Sequence, residues 1–236
     1  MKNVEAFKKE TNIKEHLNPT LKEYKDYRLA GINLMTKLAD FVFNLRKNER
    51  VMQAGKLLNI VNKDILLLHS ESERDFLLDF LIFDYNFDSL KSNIETYISL
   101  NSAQNDIEQK LFKAILKSYT SLFRIVSIDK SDCKLYLYDI LNAVSEIPLV
   151  DINMSKSSQP GMIFFTRLIP LGNFNMTSGM SFGFTSDMEI YLMNKYKRLR
   201  RKFKSESETV KRFACFFHLY RSDGIESKLA NPWEKP

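Results

Sequence analysis

The hydrophobic pattern of this chain changes period at Ser121, and no other feature of the sequence limits the fold so strongly. Before that point apolar residues recur at steps of three and four, which lays them along one face of a helix. After it they alternate, the signature of strands with one buried face. Near Ser186 the helical spacing returns. Blocks of helix and strand in that order predict an α+β protein.

The first block reads as a helical domain over residues 1–120. Asn18-Pro19 is a helix start, because Asn caps free amides and Pro suits the first helical position. Leu21, Tyr24, Ile32, Met35, Ala39 and Val42 then follow one face, with Arg28 as its polar exception, and predict a helix from Pro19 to about Lys47. Asn48 to Val61 and Ala103 to Ser118 repeat the spacing. Ser70 with Glu73 and Ser92 with Glu95 have the Ser-x-x-Glu form of a capping box. The expected arrangement is a bundle.

Residues 121–236 read as a small antiparallel β unit with two C-terminal helices. Leu122 to Ile128 and Cys133 to Leu141 flank the turn-forming Asp129-Lys130-Ser131-Asp132 and predict a hairpin, with Leu135 and Leu137 alternating against Tyr136 and Tyr138. Val144 to Val150, Met162 to Ile169 and Phe174 to Thr177 supply further strands. Such short strands suggest a small barrel or a strongly curved sheet. Gly179 to Gly183 reads as a turn closing that sheet. Ser186 with Glu189 is a further candidate capping box, and the last helix is expected from about Glu206 to Arg221.

Composition removes several classes. With 44% hydrophobic and 27% charged residues but only 7 Gly and 6 Pro in 236 residues, the chain is neither disordered nor fibrous. Its longest uncharged stretch, Leu168 to Ser186, carries three Gly and one Pro and does not suit a membrane helix, so no membrane insertion is expected. Met1-Lys2-Asn3-Val4-Glu5 lacks the apolar core of a secretory signal, which points to a cytoplasmic protein. Cys133 and Cys215 form no disulfide framework and read as buried thiols. His16, His69 and His218 include no i, i+4 pair for zinc. No phosphate-binding, dinucleotide or calcium motif is present. Neither a metal nor a cofactor is expected.

Charge carries the functional lead. The chain holds 35 Lys and Arg against 29 Asp and Glu, a net charge of +6. Twelve basic and seven acidic residues lie between Thr185 and Pro236, so five of the six surplus charges are there. Lys195, Lys197, Arg198, Arg200, Arg201, Lys202 and Lys204 crowd into ten positions. Met188, Leu192, Tyr196, Leu199 and Phe203 give the same segment an apolar anchoring face. Cations held on an anchored helix can neutralise the phosphates of a nucleic acid. A solvated helix face, or a dock for an acidic protein partner, explains the same run.

Two motifs precede it. Phe182-Gly183-Phe184 partially resembles the aromatic core of an RNA-recognition motif, where rings stack bases, although Met180 and Ser181 replace its basic residue and Gly. Core phenylalanines are the plainer reading. Gly179-Met180-Ser181-Phe182-Gly183 matches a hydrolase nucleophile elbow, and Asp187 and His218 follow in the order of a triad. The parallel α/β sheet and oxyanion segment that such a site needs are absent from the sequence.

The order of segments resembles a poorly characterised bacterial group whose members often carry a SEC-C metal-binding segment. Asp75 to Tyr85, Ser121 to Val126, Gln159 to Leu168 and Phe216 to Tyr220 carry the likeness. It implies an architecture and no catalytic residue. The cysteine-rich metal segment is missing here, so metal binding is not implied.

These readings converge on a non-enzymatic nucleic-acid-binding protein that contacts phosphate through its basic helix and stacks bases on Phe182 or Phe184. The rivals are a protein-interaction or adaptor module and, weakest, a hydrolase built on Ser181.

Overall fold

The computed structural model describes residues 18–44, 49–85, 91–203, 205 and 207–225. The fold is α+β. Helix α1 (Pro19–Asn44) starts where Asn18 caps it, its Oδ1 accepting from Leu21 N at 3.2 Å. Helix α2 (Glu49–Leu57) is shorter than its pattern suggests: Asn59 adopts a left-handed φ of 55°, and the chain turns into a hairpin of β1 (Val61–Asn62) and β2 (Ile65–Leu66). Lys63 and Asp64 are both left-handed, as a two-residue hairpin turn requires.

Helices α3 (Glu71–Phe83), α4 (Asn93–Leu100) and α5 (Asp106–Ile115) complete the helical block. The capping box at α4 forms in full: Glu95 N donates to Ser92 Oγ at 3.4 Å, and Ser92 N donates to Glu95 Oε2 at 2.6 Å. The one expected at α3 does not. Ser70 makes no side-chain cap bond, and Glu73 is drawn away to accept from His69 N at 2.8 Å and to pair with Arg221 at 2.9 Å.

The strands β3 (Tyr119–Asp129), β4 (Lys134–Asp139), β5 (Val144–Val150), β6 (Ile163–Pro170) and β7 (Asn175–Phe184) close into a barrel in the order β3-β4-β5-β7-β6. Strand β3 pairs with β6 through Tyr119–Arg124 and with β4 through Phe123–Asp129, bending at a bulge between Ile125 and Ser127. Neighbouring strands are antiparallel except β5 and β7, which meet in parallel at Leu149 and Asn175. A short helix, α6 (Ile152–Ser157), joins β5 to β6. This connectivity is that of the oligonucleotide/oligosaccharide-binding barrel.

The period of two separates two hydrophobic clusters. Phe123, Ile125, Leu135, Leu137, Leu149, Phe164 and Leu168 fill the barrel, with Met154 of α6 added at its end. Leu122, Ile163, Phe165, Ile169, Met176, Phe182 and Phe184 point the other way, into a second cluster shared with the helices. The boundary expected near residue 120 lies between α5 and β3, and side chains on both sides of it pack in that shared cluster. Arg28, the polar exception on α1, reaches the barrel: its Nη1 donates to Thr177 O at 2.9 Å, and its Nη2 pairs with Asp151 at 3.3 Å. After a 3-10 turn (Ser186–Met188), α7 (Glu189–Leu199) and α8 (Glu208–Asp223) follow. Ser207 Oγ caps α8, accepting from Val210 N.

Candidate nucleic-acid interface

The basic run lies at the end of α7. Leu192 and Tyr196 are buried, and Tyr196 stacks on Phe216 of α8 with ring centroids 5.0 Å apart, which fixes the opposite side of the helix in solvent. The helix is shorter than expected, ending at Leu199. Lys195, Lys197 and Arg198 are therefore helical, while Arg200, Arg201 and Lys202 form the turn that follows; Lys204 lies outside the described residues. Like charges at Lys197 and Arg201, and at Arg198 and Lys202, would stand four residues apart in a continued helix and repel.

Lys197, Arg198, Arg201 and Lys202 are exposed and pair with no carboxylate among the described residues. Arg200 is engaged: its Nη2 stands 2.7 Å from Glu208 Oε2. Glu208 also holds Lys211, and these contacts keep its carboxyl below the usual range. Lys195 Nζ lies 5.2 Å from the centre of the Tyr191 ring, a cation–π contact that leaves its charge unneutralised.

The two phenylalanines expected to stack bases do not belong to this surface. Phe182 and Phe184 are each 0% exposed. Phe182 is stacked between Phe165, at 5.5 Å, and Tyr220, at 5.2 Å, with Phe76 edge-on at 4.7 Å. No base can reach a ring enclosed on every side, so this expectation is corrected to a core role. The turn expected from Gly179 to Gly183 is also corrected, because these residues continue β7. Ser181 faces Thr166 in register, in mid-strand and on the side opposite Phe182. The sharp strand-to-helix turn of a nucleophile elbow is not formed there. His218 is half-buried, and burial together with Arg221 lowers its pKa. The box expected at Ser186 is likewise replaced, with no side-chain cap and Glu189 paired to Arg124 of β3.

Sequence reasoning missed two rings that solvent does reach. Tyr136 is 38% exposed and Tyr138 half-buried on the outer face of β4, opposite Leu135 and Leu137. The signal was the alternation itself, which fixes the face of every residue once the leucines are placed inside.

A polar cavity of about 190 Å³ is lined by Asp84, Ser92, Glu95, Ser118, Arg167, Ser207 and Thr209 among others. Arg167 is 3% exposed, pairs with Asp79 at 3.2 Å and with Asp84, and sets its guanidinium 4.4 Å from the centre of the Phe83 ring. Burial pushes the Asp84 carboxyl up to about 6 against the pull of Arg167, and the neighbouring Asp79 charge adds to the rise. Burial also pushes the Cys215 thiol up to about 12. Among the described residues no cluster of His, Cys, Asp and Glu is arranged to hold a metal ion, and no helix is long and apolar enough to cross a membrane.

A family model matches residues 18–230, and it describes a family of unknown function. No curated protein matches the chain. No solved structure matches it either.

Proposed function

The chain belongs to that family, DUF7986, and for this member we propose a non-enzymatic role as a cytoplasmic nucleic-acid-binding protein. The carrying observation is the group Lys197, Arg198, Arg201 and Lys202, exposed at the end of an anchored helix with no carboxylate paired to it among the described residues. Each cation that meets a phosphate displaces a condensed counterion, so the binding is electrostatic and salt-dependent. Lys195 and Lys204 extend the group along the sequence. Arg200 joins only by giving up Glu208, which makes it the weakest contributor.

The barrel supports the reading. Barrels of this connectivity present the outer face of their second and third strands to oligonucleotides or oligosaccharides. Connectivity alone does not fix a ligand; the cations favour a polyanion. The reading is tested by fluorescence anisotropy of labelled RNA and DNA. Binding at ~50 mM salt that fades by ~200 mM is the expected result. Binding to neither probe at low salt refutes it.

A further inference from the structure

Strand β4 turns Lys134, Tyr136 and Tyr138 outward, because Leu135 and Leu137 occupy the interior. Beside it on β3, Arg124 is in register with Tyr138 and holds its guanidinium 5.0 Å from the centre of that ring. Arg124 is also ion-paired to Glu189, the first residue of α7. The side chains of that pair are 38% and 29% exposed, so water screens it and little free energy opposes its exchange for another anion. Glu189 is well placed to let go. It lies in the first turn of a helix, where the backbone dipole stabilises a carboxylate that has lost its cation.

We infer that this face is a base-stacking site for single-stranded nucleic acid, and that a backbone phosphate of the ligand takes Arg124 from Glu189. The inference rests on the nucleic-acid reading above and adds strandedness and a second contact surface to it. A duplex hides the flat faces of its bases inside its own stack and offers phosphates and groove edges. Only an unpaired strand can lay a base on Tyr136 or Tyr138. In the free protein the carboxylate of Glu189 occupies the position that a phosphate needs. It thereby selects against anions that bring no base to the tyrosines.

The test compares a labelled oligothymidine of about 15 nucleotides, near the upper end of the span such a barrel covers, with a duplex of about equal length. Glu189→Gln is expected to tighten the single strand about threefold or more, the loss of one screened competitor, and to leave the duplex unchanged. Replacing both Tyr136 and Tyr138 with Ala is expected to weaken the single strand about tenfold or more without affecting the duplex. The double Phe variant retains stacking and should bind like the wild type. It separates loss of a ring face from loss of structure, and the melting temperature of each variant provides the second check. Unchanged single-strand affinity in a folded double Ala variant overturns the stacking site. Unchanged affinity in Glu189→Gln overturns the exchange of partners. Both failures leave the basic-strip reading standing if Lys197, Arg198 and Arg201 are still required. If the wild type binds neither probe, that reading falls and this inference falls with it.

Discussion

Arg167 Nε donates to Asp79 Oδ1 at 3.2 Å, joining strand β6 to helix α3 through an ion pair shielded from solvent. The same guanidinium also serves Asp84, so one cation compensates two buried carboxylates. Arg167→Met keeps much of the side-chain volume but strands both acids. The expected cost is ~3–5 kcal/mol, measured as a lower urea midpoint, because a buried charge that loses its partner keeps its desolvation penalty. A loss below ~1 kcal/mol would mean that water reaches the pair.

The pH dependence of stability follows from the same cluster. Asp84 rises from 3.8 to about 6 in the folded protein, so the native state holds this proton more tightly than the unfolded chain does. Its contribution to stability is fully present below the unfolded value and is lost as pH rises through about 6. Urea midpoints measured between pH 5 and pH 7 should therefore fall more steeply in the wild type than in Asp84→Asn. Parallel profiles would remove Asp84 from the account.

Phe182 separates the core from the proposed binding surface. Phe182→Ala deletes a ring packed against Phe76, Phe165 and Tyr220, and should cost ~3–5 kcal/mol of stability. At a temperature where the variant remains folded, its affinity for nucleic acid should match the wild type. Selective loss of binding in a fully stable variant would return the ring to the surface.

Thiol labelling gives an independent check of burial. Cys215 is fully buried with its thiol pushed up to about 12, so iodoacetamide at about pH 8 should leave it unmodified until the protein unfolds. Rapid alkylation of Cys215 in the native protein would contradict the packing of α8.

The change of period at Ser121 was legible because a half-buried strand and an amphipathic helix cannot share a pattern, and β3 begins two residues before it. The Ser92–Glu95 box was legible because both halves of it are local. Strand β7 was not. Gly179, Ser181 and Gly183 have the composition of a turn, yet Ser181 and Gly183 lie in register with Thr166 and Phe164 of β6. That pairing comes from the neighbouring strand and leaves no trace in the local sequence. The same applies to Arg28, whose partners Thr177 and Asp151 lie more than a hundred residues away. In the candidate site the cations were legible as a cluster, whereas Arg200's engagement by Glu208 depends on how α8 packs. The aromatic partners were misassigned because composition identifies rings and only the barrel's face assignment identifies those that meet solvent.

Reversing the charge of Lys197, Arg198 and Arg201 together to Glu tests phosphate binding at the end of α7, read as anisotropy with labelled single-stranded RNA and duplex DNA at ~50 mM salt. These side chains are exposed, so the variant should melt like the wild type while binding to both probes is lost and the salt dependence disappears with it. Wild-type affinity in the folded triple variant would rule out phosphate binding by this group and leave the cations as a solvated helix end.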